Sequence, residues 1–382
     1  KIAIIGAGPG GTMLARLLHQ SSIPTTIFEA ETSIDDRSQG GSLDLRAGTG
    51  LLAMQKAGLF QEFLKLARYD GEALLLCDKR QTTWMARPAG DAARKSALQE
   101  APEIDRVLLR RLLIESIPDG CVRWGRKVVS VDEDRGLHFA DGSVERGFDL
   151  VVGADGAWSR VRRFLSEEVP AYAGLGGYML DVPADAEMRA PRAFGFVNRG
   201  SVFAFSDQKS LSGQFVSDKS IRVSTWSVRD EKWIAEKGED ASDPVKVKAE
   251  LRQVFEDWSP DLLNLIDSTD GPVYPKNLYT LPVGFKWEHQ EGVTLLGDAA
   301  HLMTPFAGVG VNTALYDAML LCRAIVEAQN SPTPAASLDK SIIQYEKTMW
   351  GHAHKAQQMS YDAMVDMIFT PGAPRTTIER WM

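Results

Sequence analysis

The sequence predicts an α/β protein with a parallel sheet, an inserted and mostly antiparallel second sheet, and a long C-terminal helix. Residues 1–30 follow the order strand, glycine-rich turn, helix and strand, which is the pattern of a βαβ unit. Residues 171–230 contain short segments in which apolar and polar residues alternate, which favours antiparallel strands. After Pro334 a helical pattern continues until Pro371 and Pro374 end it.

Two further segments predict strands of the same parallel sheet. Residues 148–156 (FDLVVGADG) and 292–300 (GVTLLGDAA) each combine a short apolar run with a turn that contains glycine and aspartate. The inserted sheet is predicted to contain strands at 193–197 (AFGFV), 201–206 (SVFAFS) and 221–228 (IRVSTWSV), where apolar residues recur at every second position. The parallel sheet therefore belongs to a discontinuous domain.

These shifts in pattern predict the domain boundaries. The domain of the parallel sheet is assigned residues 1–68, 100–170 and 272–330, and the inserted domain, which would bind a substrate, is assigned residues 69–99 and 171–271. The remaining residues, 331–382, are predicted to form a C-terminal helix that bridges the two domains, with a dimer surface as its alternative role.

Composition excludes several classes of protein. The chain has 382 residues, of which 44% are hydrophobic and 25% charged, as is ordinary for a globular protein. Its three cysteines are far apart, so we predict a reducing, cytoplasmic location and neither a disulfide framework nor a CxxC site. A net charge of −8 disfavours nucleic acid and anionic lipid as partners. No apolar run approaches the roughly 18 residues of a membrane span, and the six histidines form no metal-ligand set. We expect a monomer, with a dimer as the alternative, and a targeting segment upstream of Lys1 stays open.

The first candidate binding motif is the glycine-rich turn of the βαβ unit. Gly6, Gly8 and Gly11 form GxGxxG between a strand and a helix, and Glu29 ends the next strand, 18 residues beyond Gly11. Glycines permit a tight turn and a close approach of backbone to a pyrophosphate, the helix N-terminus favours negative charge, and the acid accepts from ribose hydroxyls. This context predicts a Rossmann-like dinucleotide site and leaves FAD and NAD both open.

Two later motifs narrow the choice of nucleotide. They are GADGAWSRVR at residues 153–162 and GDAAH at 297–301, which PFAGVGVN follows at 305–312. With three motifs in this order, residues 1–325 resemble the group A flavoprotein monooxygenases, the para-hydroxybenzoate hydroxylase superfamily. The resemblance implies FAD as the cofactor, NADPH (or NADH) and O2 as co-substrates, and a small-molecule substrate. It further implies that NADPH reduces FAD, that O2 adds at the flavin C4a, and that the hydroperoxide transfers one oxygen atom to an aromatic, phenolic or enolic carbon.

The resemblance also implies roles for single residues. Asp298 would accept hydrogen bonds from the ribityl hydroxyls. Asp155 would support both FAD and the nicotinamide nucleotide, with turn capping as the alternative. No catalytic protein nucleophile is required, because the flavin does the chemistry. The other implied roles are positioning at the isoalloxazine ring by Pro305, Phe306 and Gly308, and cofactor binding by Gly310 and Asn312.

A narrower resemblance rests on GGSLDL at 40–45, GTG at 48–50, PEIDR at 102–106 and HLMTPFAGVGVN at 301–312. These segments are similar to the TetX-type tetracycline-inactivating monooxygenases. By this match Asp44 and Arg106 contact FAD, and Arg37 meets NADPH. Arg106 also suits the task by its own chemistry, because a guanidinium offers a fixed fork of donors to phosphate or ring carbonyls. A solvated surface arginine is the alternative for Arg37.

Substrate residues are harder to assign than cofactor residues. A loose alignment places Met179, Ser201 and Arg222 or Val223 where polar side chains hold the drug in the tetracycline enzymes, so tetracycline itself is not predicted. A second hypothesis is an apolar face for a planar substrate, with core packing as its alternative; its members are Phe194, Phe196, Phe203, Phe205 and Trp226. The candidate substrate residues are therefore Met179, Phe194, Phe205, Arg222 and Trp226.

Other classes of protein share part of these motifs. A flavin-dependent reductase of an isoprenoid or other small molecule carries similar fingerprints, and a non-enzymatic flavin-binding sensor and an NAD-dependent dehydrogenase also stay open. A disulfide oxidoreductase would need a paired-cysteine motif and a flavin halogenase would need Trp-x-Trp-x-Ile-Pro, and the sequence contains neither. Oxygen uptake with NADPH would separate a monooxygenase from a reductase.

Overall fold

The computed structural model describes residues 1–36, 40–68, 73–87 and 101–380. The strands in these ranges are, in chain order, β1 (Ile2–Ile5), β2 (Thr25–Phe28), β3 (Ser42–Asp44), β4 (Leu74–Cys77), β5 (Thr83–Arg87), β6 (Glu103–Asp105), β7 (Val122–Arg123), β8 (Val128–Val131), β9 (Leu137–Phe139), β10 (Val144–Glu145), β11 (Leu150–Gly153), β12 (Ala171–Val182), β13 (Ser201–Ser206), β14 (Lys209–Phe215), β15 (Ile221–Val228), β16 (Tyr274–Thr280) and β17 (Val293–Leu295). The helices are α1 (Pro9–Gln20), α2 (Gly50–Lys56), α3 (Phe60–Leu66), α4 (Arg106–Glu115), α5 (Arg162–Leu165), α6 (Ala186–Arg189), α7 (Pro191–Val197), α8 (Trp233–Lys237), α9 (Pro244–Val254), α10 (Pro260–Asp267), α11 (Asp298–His301), α12 (Gly310–Gln329) and α13 (Pro334–Met364).

A parallel sheet forms the centre of the first layer. Its five strands have the order β17-β11-β1-β2-β7. The segments predicted as strands at 148–156 and 292–300 contribute β11 and β17, which pair in parallel with Val152 opposite Thr294. All residues of β1, β11 and β17 are buried, as expected of a parallel sheet that helices cover on both faces. The prediction that distant segments form one parallel sheet is confirmed.

The second large sheet is the predicted insertion. It has seven strands in the order β16-β12-β15-β14-β13-β4-β5. Its neighbouring strands pair antiparallel, apart from β13 with β4, which pair in parallel. Strands β13 and β15 match the segments predicted at 201–206 and 221–228. The predicted fold class, a Rossmann-like domain with a mostly antiparallel sheet inserted, is confirmed.

The two faces of the second sheet have different neighbours. Val202 and Val223 point to one face, where they share an apolar cluster with Leu265 of α10. Successive side chains of a strand point to opposite faces. Phe205 accordingly points to the other face, where it packs with Met364 at the end of α13. The second face is the one that meets the C-terminal helix.

Two predictions about the inserted domain are wrong. Residues 193–197 form part of helix α7, not a strand, because Pro191 supplies a helical φ in the first turn and Asn198 ends the helix in a left-handed conformation. The boundary placed before residue 272 is also wrong, because β16 pairs with β12 in the seven-stranded sheet. This boundary therefore moves beyond Thr280, and the rest of the domain division stays a prediction.

A buried polar cluster fastens the C-terminal helix α13 to the parallel sheet. Glu346 of α13 is fully buried and accepts hydrogen bonds from Thr294 Oγ1 at 2.8 Å and Trp287 Nε1 at 3.2 Å. His289 lies between two acids, with Nδ1 2.8 Å from Glu346 Oε2 and Nε2 2.9 Å from Asp339 Oδ1. A π-helical turn at Val365–Phe369 follows α13 and continues toward the second sheet.

We expect this cluster to make stability depend on pH. Burial lowers the pKa of His289, but hydrogen bonds to Asp339 and Glu346 outweigh burial, so the pKa is raised overall. A raised histidine pKa contributes stability that is complete below the unfolded value of about 6.5 and is lost as pH rises through the folded value. The melting temperature should therefore fall as pH rises above about 6.5, and His289→Gln should show a smaller fall. Equal pH profiles for His289→Gln and wild type in thermal unfolding would contradict this expectation.

Arg37 lies outside the described residues. Within residues 1–36, 40–68, 73–87 and 101–380, no helix is long and apolar enough to cross a membrane. The same ranges contain no group of three or more His, Cys, Asp or Glu side chains that could hold a metal ion.

Candidate functional site

The candidate site lies at the edge of the parallel sheet where β1, β11 and β17 end. Each of these strands is followed by a turn that carries one of the three sequence motifs. The first two turns touch, because a Cβ atom on Gly6 would lie 2.4 Å from the carbonyl oxygen of Ala154. Ligands of open α/β sheets bind outside the carboxyl ends of the strands. The structure therefore brings the three motifs together where a ligand is expected.

The glycine-rich turn combines close packing with an open side. A Cβ atom on Gly11 would lie 2.2 Å from the carbonyl oxygen of Gly6, so a larger residue does not fit there. A Cβ atom on Gly8 would meet no other atom within 4 Å, and Gly8 immediately precedes α1. Gly8 therefore leaves space at a helix N-terminus, where backbone N–H groups and the helix dipole favour an anion.

Glu29 directly follows β2 and is buried. Its Oε2 accepts a hydrogen bond from the Ala7 N–H at 2.6 Å, and its Oε1 accepts one from the Glu31 N–H at 3.0 Å. The carboxylate thereby holds the glycine-rich turn against the end of β2. Each carboxylate oxygen can accept a further hydrogen bond, so Glu29 keeps the capacity to bind a ribose hydroxyl.

Asp155 is held inside its own turn. Its carboxylate accepts hydrogen bonds from Ser159 Oγ and, at 2.6 Å, from the Arg160 N–H. Burial raises the pKa of Asp155, and these hydrogen bonds oppose the rise. The structure thus shows the turn-capping contacts that were the alternative for this residue. A contact of Asp155 with FAD or a nicotinamide nucleotide stays a prediction.

Arg162, which sequence reasoning missed, ties the second motif to the third. Its side chain is buried and donates to the carbonyl oxygens of Ala157 at 2.6 Å and Ala299 at 2.9 Å. Because Ala299 follows Asp298, the guanidinium holds the start of α11 beside the turn of Asp155. Arg162 is the last residue of the second motif, but nothing in that motif indicates that its side chain reaches Ala299.

Asp298 and Arg106 interact electrostatically at the cleft. Both side chains are accessible from the cleft, although protein atoms surround them on most sides. Burial raises the pKa of Asp298, and the charges of His301, Arg106 and Arg162 oppose the rise. Burial lowers the pKa of Arg106, and Asp298 opposes that shift. The cleft therefore offers one carboxylate acceptor and one guanidinium donor, which suit hydroxyl groups and phosphate or carbonyl oxygens respectively.

Asn312 is buried in the first turn of α12 and binds the backbone at the end of β3. Its Nδ2 donates to the carbonyl oxygen of Asp44 at 2.8 Å, and its Oδ1 accepts from the Arg46 N–H at 2.8 Å. Arg46 donates from Nε to Asp44 Oδ2 and from a terminal nitrogen to the Ala307 carbonyl oxygen, each at 2.9 Å. These contacts give Asn312 a positioning role, and sequence reasoning did not single out Arg46.

The loop between α11 and α12 presents backbone toward the cleft. Pro305–Ala307 form a 3₁₀ turn, and Gly308 follows in a left-handed conformation with φ 63°. Gly310 begins α12, and a Cβ atom there would meet no neighbour within 4 Å. The Phe306 ring lies 6.3 Å from the Phe205 ring, measured between centroids. The loop therefore meets the second face of the seven-stranded sheet.

Four of the five candidate substrate residues share that face. Met179, Arg222 and Trp226 point to it by alternation, since Tyr178 and Val223 point to the opposite face. Arg222 is paired with Asp181 at 2.5 Å and with Asp218 at 3.4 Å. The residues on this face are Met179, Phe205, Arg222 and Trp226.

Phe194 does not join these four residues, so its assignment to the substrate site is wrong. It lies on α7, and its ring packs edge-on against Phe215 with centroids 5.4 Å apart. Phe215 packs against the apolar cluster on the opposite face of the sheet. The error follows directly from the strand that was predicted at 193–197.

Three turns on one sheet edge, beside an apolar face of a second sheet, define a dinucleotide-binding enzyme. A family model described as an FAD binding domain matches residues 1–350, and the chain belongs to this family of FAD-dependent monooxygenases. FAD is its cofactor.

Known proteins agree with this assignment. Monooxygenase asqM of Emericella nidulans is 30% identical, and the match covers 94% of this chain and 94% of asqM. The structure of Klebsiella pneumoniae HpxO complexed with FAD and uric acid is 23% identical with a TM-score of 0.77, over 100% of this chain and 91% of that one. The structure of tetracycline destructase Tet(51) is 19% identical with a TM-score of 0.69, over 100% of this chain and 93% of that one. The two structures show the shared fold, and the resemblance to the para-hydroxybenzoate hydroxylase superfamily is confirmed.

Proposed function

We propose that this monooxygenase uses NADPH, with NADH as the alternative donor, and O2 to insert one oxygen atom into an aromatic, phenolic or enolic small molecule. Bound FAD supplies the activation and transfer of oxygen. The reaction would consume one nucleotide and one O2 and release one water for each product. The main support for the proposal is the contact between Phe306 and Phe205, whose ring centroids lie 6.3 Å apart. This contact joins the cofactor domain to an apolar face of the second sheet.

Residues of the three turns would hold FAD through matched donors and acceptors. Gly8 and the N-terminus of α1 suit the pyrophosphate, because a Cβ atom on Gly8 would meet no atom within 4 Å and a helix N-terminus favours an anion. Glu29 and Asp298 suit hydroxyl groups of ribose and ribityl, because carboxylates accept. Arg106 suits a phosphate or a ring carbonyl, because a guanidinium donates. The residues present therefore fit the cofactor that the family assigns.

The proposed substrate site lies between the loop of Phe306 and the second sheet. Its wall is an apolar cluster that comprises Leu175, Phe205, Met364, Met367, Ile368 and Ile378. Apolar and aromatic walls suit a flat, weakly polar substrate and keep water away from the reaction centre. Met367 and Ile368 belong to the π-helical turn, a conformation that is frequent at functional sites.

The pairing of Arg222 with two acids favours a substrate without a carboxylate. Asp181 and Asp218 already pair with this guanidinium at 2.5 Å and 3.4 Å. An anionic substrate at Arg222 would compete with both acids. We therefore favour a polyketide-like or other neutral secondary metabolite over a simple aromatic acid.

A screen of co-substrate consumption tests the proposal. Oxidation of NADPH and NADH and uptake of O2 are followed with phenols, anthraquinone-like polyketides and tetracyclines. We expect one class to stimulate nucleotide oxidation, with equimolar O2 uptake and a product heavier by one oxygen atom. Nucleotide oxidation without O2 uptake would favour the flavin-dependent reductase, and a flavin that neither nucleotide reduces would favour the sensor.

Phe205→Leu is expected to raise the KM for the substrate about 2-fold to 10-fold, because it removes an aromatic contact worth about 0.5–1.5 kcal/mol. The fraction of O2 released as hydrogen peroxide should rise as well, because the substrate is held less firmly. Phe194→Leu is the matched control, since Phe194 lies on the opposite side of the sheet and should leave both quantities unchanged. Equal effects of the two changes would contradict the placement of the substrate.

A further inference from the structure

A buried carboxylate lies directly behind the residue proposed to hold the ribityl chain. Asp317 of α12 has an exposed fraction of 0%. Its Oδ2 accepts hydrogen bonds from His301 Nε2 at 2.5 Å and from the Gly297 N–H at 3.0 Å. Its Oδ1 accepts one from His352 Nε2 at 2.7 Å. One side chain thus joins the turn before α11, the end of α11 and the middle of α13.

This carboxylate controls the backbone on both sides of Asp298. Gly297 has a φ of 61°, a left-handed conformation that glycine adopts without strain. A Cβ atom on Gly297 would also lie 3.2 Å from the Ala314 Cβ of α12. Asp298 is the next residue, and His301 ends the same short helix. Asp317 therefore accepts hydrogen bonds from Gly297, the residue before Asp298, and from His301, the last residue of α11.

We propose that Asp317, paired with His301 and His352, is a positioning residue for FAD that sets the direction in which Asp298 faces the cleft. The proposal rests on FAD binding and on the role proposed for Asp298. It does not depend on the substrate or on oxygen transfer.

The charges around Asp317 are consistent with a fixed anchor. Contacts with His301 and His352 outweigh burial and hold the pKa of Asp317 well below its usual range. The pKa of His301 is raised overall, because the charges and hydrogen bond of Asp317 outweigh burial. Two other titratable groups interact with this pair, since the charge of Asp298 also raises the pKa of His301 and the charge of Asp317 raises the pKa of Tyr345 of α13. A buried carboxylate that keeps its charge is costly to leave without partners, so all three donors are held firmly.

The arrangement also connects α13 to the turn of Asp298. His352 belongs to α13 and retains partial exposure, with 24% of its side chain accessible. Its ring also packs edge-on against Tyr316 of α12, with centroids 5.1 Å apart. A shift of α13 would therefore move His352 and its partner Asp317, and through Asp317 the turn of Asp298.

The test compares substitutions of two buried acids, Asp317 of α12 and Glu346 of α13. Asp317→Asn keeps the shape of the side chain but removes its charge and replaces one acceptor oxygen by a donor, so the hydrogen bonds to His301 and His352 are weakened or lost. Glu346→Gln is the matched control, because Glu346 is equally buried and accepts from Thr294 and Trp287, away from Asp298. FAD affinity is measured by quenching of flavin fluorescence, and stability by thermal unfolding of the apoprotein.

We expect both variants to melt at a lower temperature, and Asp317→Asn alone to bind FAD about 10-fold to 100-fold more weakly. The visible absorption band of the flavin should also shift in Asp317→Asn and not in Glu346→Gln. His301→Gln provides a second variant, since a glutamine amide retains a donor near the position of Nε2 and should weaken FAD binding to a smaller extent. Its result decides the question if Asp317→Asn does not fold.

FAD affinity within about twofold of wild type in Asp317→Asn, or in His301→Gln if the first does not fold, would overturn the proposal. Equal loss of affinity in Glu346→Gln would do the same, because a general loss of packing would then explain the effect. A failure of oxygenation with normal FAD affinities would count against the proposed function only.

Discussion

Asp298→Asn is expected to fold and to bind FAD about 10-fold to 100-fold more weakly than the wild-type protein. We propose that the carboxylate accepts hydrogen bonds from ribityl hydroxyls, and hydrogen bonds to charged groups contribute about 1.5–3 kcal/mol. Asparagine keeps the shape but loses the charge and one acceptor. Titration of the apoprotein with FAD, followed by fluorescence quenching, measures the effect.

Stability separates loss of binding from loss of folding in this variant. Burial raises the pKa of Asp298, so the charge of this carboxylate lowers the stability of the folded apoprotein. Removing the charge should therefore leave the melting temperature of the apoprotein unchanged or raise it. Asp339→Asn is a suitable control, because Asp339 pairs with His289 away from the cleft. Unchanged FAD affinity in Asp298→Asn would contradict the proposed contact.

Gly8→Ala is expected to weaken FAD binding, whereas Gly11→Ala is expected to lower the stability of the protein. A Cβ atom on Gly8 would enter open space, and the φ of −75° suits alanine, so the protein should fold. The added methyl group would occupy the space proposed for the pyrophosphate and weaken FAD binding about tenfold or more. A Cβ atom on Gly11 would lie 2.2 Å from the Gly6 carbonyl oxygen, so the turn itself must shift. We expect Gly11→Ala to lower the free energy of unfolding by about 1–3 kcal/mol.

The two alanine variants are distinguished by measuring the apoprotein. Urea or thermal unfolding without FAD should show near-normal stability for Gly8→Ala and reduced stability for Gly11→Ala. FAD titration should show weak binding in Gly8→Ala even though its apoprotein is stable. The account of the glycine-rich turn would be contradicted by a Gly8→Ala protein that binds FAD normally.

The parts of the site that depend on local chemistry could be predicted from the sequence. The turn of Gly6, Gly8 and Gly11 and the turn of Asp298 each follow a short apolar strand, and such local patterns determine where a turn occurs. The segments at 148–156 and 292–300 also indicated one parallel sheet, because each is a short apolar run that leads into a turn with glycine and aspartate.

Contacts between distant segments could not be predicted in this way. Arg162 reaches the carbonyl oxygen of Ala299, and Asn312 holds Asp44 and Arg46, across separations that no local pattern reports. Asp317 was not a candidate, because an aspartate in a long helix is usually solvated. Its role became visible only when His301 and His352 were seen beside it.

Both errors arose in segments whose local pattern does not identify the structure that they form. Alternating aromatic residues at 193–197 also fit one turn of helix, and the proline at 191 was the stronger signal. Phe194 was assigned to the substrate on that basis and lies on the far face of the sheet. Strand β16 was assigned to the wrong domain because its sequence, YPKNLYT, alternates weakly and contains a proline.

The central claim is that the enzyme transfers one atom of O2 to an organic substrate at the junction of Phe306 and Phe205. Reaction under heavy-isotope O2, with mass detection of the product, tests it most directly. We expect a product that carries one heavy oxygen atom, with one NADPH or NADH consumed for each product formed. A product without the label, or peroxide as the sole fate of O2 with every substrate class in the screen, would contradict it.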